Sequence, residues 1–165
     1  MIFSKTTGYG IRAISYLAGR TEKGPCGLRE IADHENIPPV YLRKVLGELR
    51  RHRVLRSVRG IHGGYELARA PQNITLWDVF QVLEPDPFWD ACILGRGFCD
   101  AGSPCALHEG WLKTRQELTE LLQNKTIADL ASFDSASASA EGARSEAALN
   151  TGGTINRQGP LASVE

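Results

Sequence analysis

Four side chains that commonly bind metals fall within a 17-residue stretch, in the pattern C-x6-C-x5-C-x2-H. They are Cys92, Cys99, Cys105 and His108. Thiolate-rich sites select zinc or iron–sulfur clusters, and imidazole binds both zinc and iron. Structural zinc sites usually contain two cysteines only about two to four residues apart, so the wider spacing here favours an iron–sulfur cluster. The glycines and prolines around these residues indicate a loop that can fold round such a group.

Other uses of these thiols stay open on spacing alone. They could bind zinc, act as a metal-free redox switch, or serve only as structural thiols. A Cys–His pair can also provide a nucleophile, but a single catalytic cysteine would not need two further cysteines in the same loop. The fourth cysteine, Cys26, lies in a distant connector, where we expect a partly exposed residue that binds no metal.

The charge of the chain is unevenly divided although it sums to zero. Residues 1–70 contain 13 Lys and Arg and 6 Asp and Glu, whereas residues 71–165 contain 6 and 13. A basic half next to an acidic half indicates one part that meets a polyanion and one that does not. Seven basic residues and one acid, Glu48, lie between positions 43 and 59. This ratio points to nucleic-acid binding rather than to an ordinary solvated helix face.

Apolar periodicity predicts the elements that carry this basic surface. A first helix is expected over about 4–20, a short second one over 28–37, and a third from Pro38 or Pro39 onward. Two β-prone runs with a glycine-rich tip between them predict a β-hairpin within 54–68. Three helices followed by a hairpin form a winged helix-turn-helix. The fold class is therefore mainly α with a small β-hairpin.

The third helix and the hairpin, or wing, are the parts of this fold that touch DNA. In the helix, basic residues alternate with the apolar stripe, and Tyr41 stands near its start. The wing combines Arg59 with glycines that let the backbone approach a groove closely, and a narrow minor groove attracts arginine. His62, at the tip, could touch phosphate or simply be solvated. The candidate DNA-binding residues are Tyr41, Arg43, Lys44, Arg50, Arg51, Arg53, Arg59, His62, Gly63 and Gly64.

The chain beyond the DNA-binding domain, which we place at 1–83, has three parts. Residues 84–106 are rich in Gly, Pro and Cys and form the cysteine-containing loop. Residues 107–131 are expected to hold a long dimerisation helix, over about 107–123, and a short closing helix. The apolar stripe of the long helix is too long for so small a domain to cover, which predicts a homodimer. Ser, Ala and Gly make up half of residues 132–165, which predicts a disordered tail.

Three segments of the chain resemble one family of bacterial transcription regulators. They are SKTTGYGIRA at 4–13, PPVYL at 38–42 and SVRGIHGGY at 57–65. The family is that of the iron–sulfur cluster regulator IscR and the nitric oxide sensor NsrR, and the similarity covers about residues 1–131. Three cysteines before a long C-terminal helix are also typical of this family. The resemblance implies a homodimeric winged-helix regulator that holds a 2Fe–2S or 4Fe–4S cluster and binds a two-fold related double-stranded DNA site.

The resemblance also implies which residues hold the cluster. Cys92, Cys99 and Cys105 match the cluster cysteines, and His108 falls where IscR supplies a histidine ligand. The first cysteine gap is one residue longer than in IscR, as in branches that sense nitric oxide or iron and can use an acidic ligand from the first helix. Gly8 stands at that place and offers no carboxylate, so we prefer His108 as the fourth ligand and favour 2Fe–2S over 4Fe–4S.

The expected function is that of a DNA-binding transcriptional regulator whose cluster senses redox state, nitric oxide or iron and cluster status. Arg43 stands where IscR has an acidic residue in its recognition helix, so we expect a different base preference. A zinc-stabilised or metal-free thiol repressor of the same fold is the alternative. No phosphate-binding loop or Ser–His–Asp constellation stands out, which disfavours an enzyme, although an electron carrier that does not bind DNA stays open. Without a long apolar run or a secretory signal, we expect a cytoplasmic protein without membrane contact.

Overall fold

The computed structural model describes residues 3–20, 23–84, 90–99, 102, 104–134 and 136. Three helices come first: α1 (Lys5–Ala18), α2 (Leu28–Glu35) and α3 (Pro39–Arg51). An antiparallel hairpin follows, made of β1 (Leu55–Val58) and β2 (Gly64–Leu67), with Leu55 opposite Leu67 and Val58 opposite Gly64. The chain continues through α4 (Leu76–Leu83), α5 (His108–Asn124) and a sixth helix, α6, over 127–134. This order confirms the predicted winged helix-turn-helix with a long C-terminal helix.

Short sequence signals explain where the helices begin and end. Ser4 caps α1 by accepting a hydrogen bond from the backbone N–H three residues on. Asn36 ends α2 in the left-handed region, with φ of 50°, a conformation that asparagine tolerates better than most residues. Pro39 begins α3, where its missing N–H costs nothing. Thr75 and Asp78 form a capping box at the start of α4, as their spacing predicts.

The core lies where the first four helices meet the hairpin. The stripe predicted for α3 is buried there, in the form of Leu42, Val45, Leu46 and Leu49. Helices α1 and α4 cross closely at Gly10, where an added Cβ would lie 2.1 Å from Leu83 Cδ1. Because the inner face of α3 packs in the core, the position of the helix is fixed and its outer face is exposed.

The hairpin is tied to the core through Cys26. The Cys26 N–H donates to Tyr65 O at 2.9 Å, and the Tyr65 N–H donates to Cys26 O at 2.8 Å. This pairing adds the connector before α2 to the edge of β2 and turns the thiol inward, so Cys26 is 0% exposed. The expectation of a partly exposed Cys26 was therefore wrong. Burial raises the pKa of its thiol to about 12.

The C-terminal segment returns to the DNA-binding domain. The Leu76 N–H donates to Lys125 O at 2.8 Å, and the buried Ile127 donates to Ile74 O at 2.9 Å. Helix α6 continues past the predicted end at 131, and Ser15 Oγ donates to Asp134 Oδ2 at 2.6 Å. The boundary of the tail thus shifts beyond 132, because these last residues pack on α1. Residues 135 and 137–165 of the predicted tail lie outside the described residues.

None of the helices in the described part of the chain is both long enough and apolar enough to span a membrane.

Candidate DNA-binding surface and cysteine loop

The N-terminal half of α3 presents its candidate DNA-binding residues outward. Tyr41 is 61% exposed, and Arg43 and Lys44 are exposed beside it. Val40, which the sequence analysis did not single out, is 71% exposed on the same turn. The first turn of α3 carries no acidic residue. This end of the helix therefore offers a phenol, two cations and an apolar side chain, the groups with which base edges and thymine methyls are read.

The C-terminal end of α3 and the base of the hairpin form an open cleft of about 780 Å³, and four of its eight lining residues are arginines. Arg50 and Arg53 line it and make no ion pair among the described residues, whereas Arg56 is paired with Glu66 at 2.8 Å. Arg53 has a φ of 60°, a left-handed conformation that favours glycine. This cleft can hold a phosphate group. The remaining candidate here, Arg51, is exposed and paired with Glu48 at 2.8 Å.

The wing places Arg59 and His62 in solvent. Its turn is closed by a hydrogen bond from the Gly63 N–H to Gly60 O at 3.0 Å, and Gly60 has a φ of 114°. An added Cβ at Gly63 would lie 2.3 Å from Val58 O. An added Cβ at Gly64 would lie 2.2 Å from a backbone oxygen of the connector before α2. These two glycines therefore allow close packing of the protein's own backbone at the foot of the wing.

Residues 90–99 form a narrow antiparallel ribbon. The Cys99 N–H donates to Asp90 O and the Cys92 N–H to Gly97 O, both at 2.7 Å, with Ala91 bridged to Phe98 between them. Side chains alternate between the two faces of such a ribbon, and residues directly opposite share a face. Cys92 and Cys99 consequently leave the same face, although six residues separate them in the sequence.

The four predicted metal ligands come together as two pairs. Cys99 Sγ lies 3.4 Å from His108 Nδ1 on the first turn of α5. Cys92 shares a hydrogen bond with Cys105, and the His108 N–H donates to Cys105 O at 3.0 Å. Within the part of the chain that the structure describes, no group of three or more His, Cys, Asp or Glu side chains is set closely enough to hold a metal. The two pairs must therefore close on one another for all four residues to bind one group.

The thiol of Cys92 is held by several hydrogen bonds. The backbone groups of Leu94 and Arg96 make hydrogen bonds with it and lower its pKa, and Cys105 lowers the pKa further. Hydrogen bonds to the charged form favour that form. Backbone hydrogen bonds to sulfur are also among the means by which proteins adjust iron–sulfur clusters. This end of the ribbon is suited to a bound thiolate.

The ribbon is held to α5 by a tryptophan of that helix. Trp111 donates its indole N–H to Ala91 O at 3.0 Å. Arg115, one turn on, lies 3.9 Å from Asp90. A single tryptophan on an amphipathic helix gives no signal in the sequence that its N–H has such a partner. Both contacts join the start of the ribbon directly to the long helix.

Helix α5 leaves part of its apolar stripe uncovered. Leu122 is buried, but Leu121 is 53% exposed and Leu112 is 36% exposed. Leu107, just before the helix, is 48% exposed. An uncovered apolar face on a long helix is suited to a second copy of the chain.

The winged helix, its basic outer surface and the attached cysteine loop together define a class of protein, the winged-helix transcription regulators. The Rrf2 family, described as iron-dependent transcriptional regulators, matches residues 3–132. The chain belongs to this family, which consists of regulators rather than enzymes.

Known proteins agree with this assignment. The chain is 33% identical over 136 residues to an HTH-type transcriptional regulator of Aquifex aeolicus, a match that covers 81% of this chain and 94% of that protein. The structure of CymR, the global cysteine regulator of B. subtilis, superposes with a TM-score of 0.69 at 31% identity, over 79% of this chain and 96% of that one. The structure of IscR from T. potens gives 0.66 at 30% identity, over 80% and 87%.

Proposed function

We propose that the chain is a homodimeric transcriptional regulator whose affinity for its DNA operator depends on an iron–sulfur cluster held by Cys92, Cys99, Cys105 and His108. The observation that carries this proposal is the ribbon of residues 90–99, because it gathers two thiols on one face next to the first turn of α5. The family description as iron-dependent regulators supports the same reading.

The residues present fit such a cluster. Three thiols and one imidazole are a suitable donor set for iron. The pairs Cys99–His108 and Cys92–Cys105 already adjoin. When bound, the cluster would supply a one-electron centre that oxidants, nitric oxide or iron loss can alter. We favour a 2Fe–2S cluster because a histidine takes the fourth position, while a 4Fe–4S cluster remains the other form of the proposal.

DNA binding in this proposal uses the two exposed parts of the winged helix. Tyr41, Arg43 and Lys44 enter the major groove with the first half of α3, and Arg59 enters the adjacent minor groove. The cations at the end of α3 bind phosphates, which position the protein without reading bases. The uncovered face of α5 pairs two chains, so the operator has two related half-sites about one DNA turn, or ~34 Å, apart.

The contacts of the ribbon supply a physical route from the cluster to the DNA-binding surface. Trp111 and Arg115 join the ribbon to α5, and α5 packs against α4, which in turn packs on α1 and α3. A change in the loop can therefore shift how the two chains are held relative to each other. Cluster occupancy and DNA occupancy then share a coupling free energy.

Anaerobic purification tests the cluster. We expect a coloured protein with charge-transfer bands between about 320 and 460 nm, and with iron and acid-labile sulfide in equal amounts. Cys92→Ala, Cys99→Ala and Cys105→Ala should each remove the colour, whereas Cys26→Ala, in the core, should retain it. A colourless protein that carries stoichiometric zinc, or one without metal, would contradict the proposal.

A metal-free thiol regulator of the same fold is the second candidate. It is favoured by the short contact between Cys99 and His108 and by the similarity to CymR, the global cysteine regulator of B. subtilis. This candidate expects reversible thiol oxidation to change DNA affinity in a preparation that contains no iron. The metal analysis of the anaerobic protein therefore separates the two.

A further inference from the structure

Exposed apolar side chains in the DNA-binding domain are confined to one surface. Among the described residues up to 84, the large apolar side chains that are exposed are Val40, Tyr41, Val58 and Ile61. All four lie on the first turn of α3 or on the wing, the parts of the fold that meet DNA. Single exposed apolar residues are ordinary on protein surfaces, but their restriction to this surface indicates a partner that covers them.

Ile61 is the extreme member of this set. It is 98% exposed, at the tip of the wing between Gly60 and His62. The hydrogen bond from the Gly63 N–H to Gly60 O closes this turn, and Gly60 has a positive φ. No part of the described chain shields this branched side chain from water. The exposed Arg59 stands two residues before it.

We propose that Ile61 is an apolar wedge that enters the minor groove of the operator next to Arg59 and partly unstacks one base step. This inference rests on the proposed DNA binding and adds a residue to it. Proteins that bind the minor groove often insert an apolar side chain between bases and kink the duplex. The wedge favours a flexible pyrimidine–purine step, such as TA, within A·T pairs that keep the groove narrow for the arginine.

The experiment compares full-length Ile61→Ala with full-length Phe133→Ala as the matched control, because Phe133 is an apolar side chain on α6 that is 70% exposed. The DNA is an operator selected by the full-length protein from random duplexes, and a scrambled duplex serves as reference. Affinity is measured by anisotropy, and the end-to-end distance of the DNA by energy transfer between terminal dyes. Because Ile61 is fully exposed, Ile61→Ala should retain the melting temperature of the parent protein.

We expect Ile61→Ala to weaken operator binding by about ten- to fiftyfold, the effect of removing up to three buried carbon groups. It should also reduce the bend and leave binding to the scrambled duplex nearly unchanged. Phe133→Ala should keep the bend and lose less than about threefold in affinity. An Ile61→Ala protein with parental affinity and bend would overturn the inference, whereas a parent protein that selects no DNA would overturn the proposed function with it.

A base analogue locates the contact in the groove. Replacing adenine by 2,6-diaminopurine at the central step adds an amino group to the minor groove and leaves the major-groove edge unchanged. We expect this change to weaken the parent protein and to have little further effect on Ile61→Ala, since the wedge is already missing. Equal losses for both proteins would show that another residue makes the contact, and would overturn the assignment of Ile61.

Discussion

Gly64 joins the wing to the core, and Gly64→Ala tests that connection. An alanine Cβ there would lie 2.2 Å from Cys26 O and 2.4 Å from Cys26 C. Both are backbone atoms, so no side-chain rotation relieves the overlap. Strand β2 must move away from the connector, and the two hydrogen bonds between Cys26 and Tyr65, at 2.8 and 2.9 Å, must lengthen or break.

The expected cost follows from these contacts. Two backbone hydrogen bonds contribute about 1 kcal/mol each, and forced overpacking costs about 1–3 kcal/mol. Gly64→Ala should therefore lower the free energy of unfolding by about 3–5 kcal/mol, a large part of the ~5–15 kcal/mol typical of a domain. Gly47→Ala is the matched control, because an added Cβ in α3 meets nothing within 4 Å. That variant should gain about 0.5–1 kcal/mol from higher helix propensity.

Urea unfolding followed by circular dichroism measures both variants. The same chemical change should give opposite signs at the two positions, and the Gly64→Ala protein that remains folded should bind the operator weakly because its wing is displaced. If Gly64→Ala stayed within about 0.5 kcal/mol of the parent, β2 could not lie against the connector as described.

Arg59→Ala should weaken binding to the selected operator by about 1–3 kcal/mol and binding to a scrambled duplex much less. Arg50→Ala should weaken binding to both duplexes and reduce the salt dependence of binding by about one ion. A salt titration on both duplexes checks this, and equal losses for Arg59→Ala would show that the wing only contacts phosphates. Burial raises the pKa of Cys26 from 9.0 to about 12. The contribution of this neutral thiol to the free energy of unfolding should therefore be fully present below pH 9. It should fall as the pH rises from there, because the thiol of the unfolded chain ionises first. Urea midpoints against pH test this, and Cys26→Ala should flatten the decline; a parallel decline would assign it to other groups. Trp111→Phe keeps an aromatic ring but loses the indole N–H. The backbone amides of the ribbon at 90–99 should then exchange hydrogen faster, as measured by mass spectrometry. Unchanged exchange rates would show that this hydrogen bond does not hold the ribbon in place.

Much of the DNA-binding domain could be predicted because its signals are local. The 3.6-residue stripe of α3, the proline at its start and the capping box at Thr75 each act within a few residues. The glycine-rich run between two β-prone segments likewise predicted the hairpin. Every candidate DNA-binding side chain beyond the glycines is exposed. For those on α3 this follows because they lie off the apolar stripe that packs in the core.

The contacts that join distant segments could not be predicted in this way. The backbones of Cys26 and Tyr65 pair although 39 positions separate them, and no sequence signal near either residue predicts this pairing. The expectation for Cys26 was wrong for this reason. The spacing grouped Cys99 with His108 as candidate ligands, and Cys99 Sγ lies 3.4 Å from His108 Nδ1. It could not show that residues 90–99 fold as a ribbon, or that Trp111 holds that ribbon to α5.

The central claim is that cluster occupancy and operator binding are coupled. One anaerobic preparation should be divided, with the cluster kept in one half and removed by chelation in the other, and the operator affinity of both halves measured at the same salt concentration. We predict affinities that differ by about five- to 150-fold, and no such difference for Cys99→Ala treated in the same way. Equal affinities with and without the cluster in the parent protein would contradict the account.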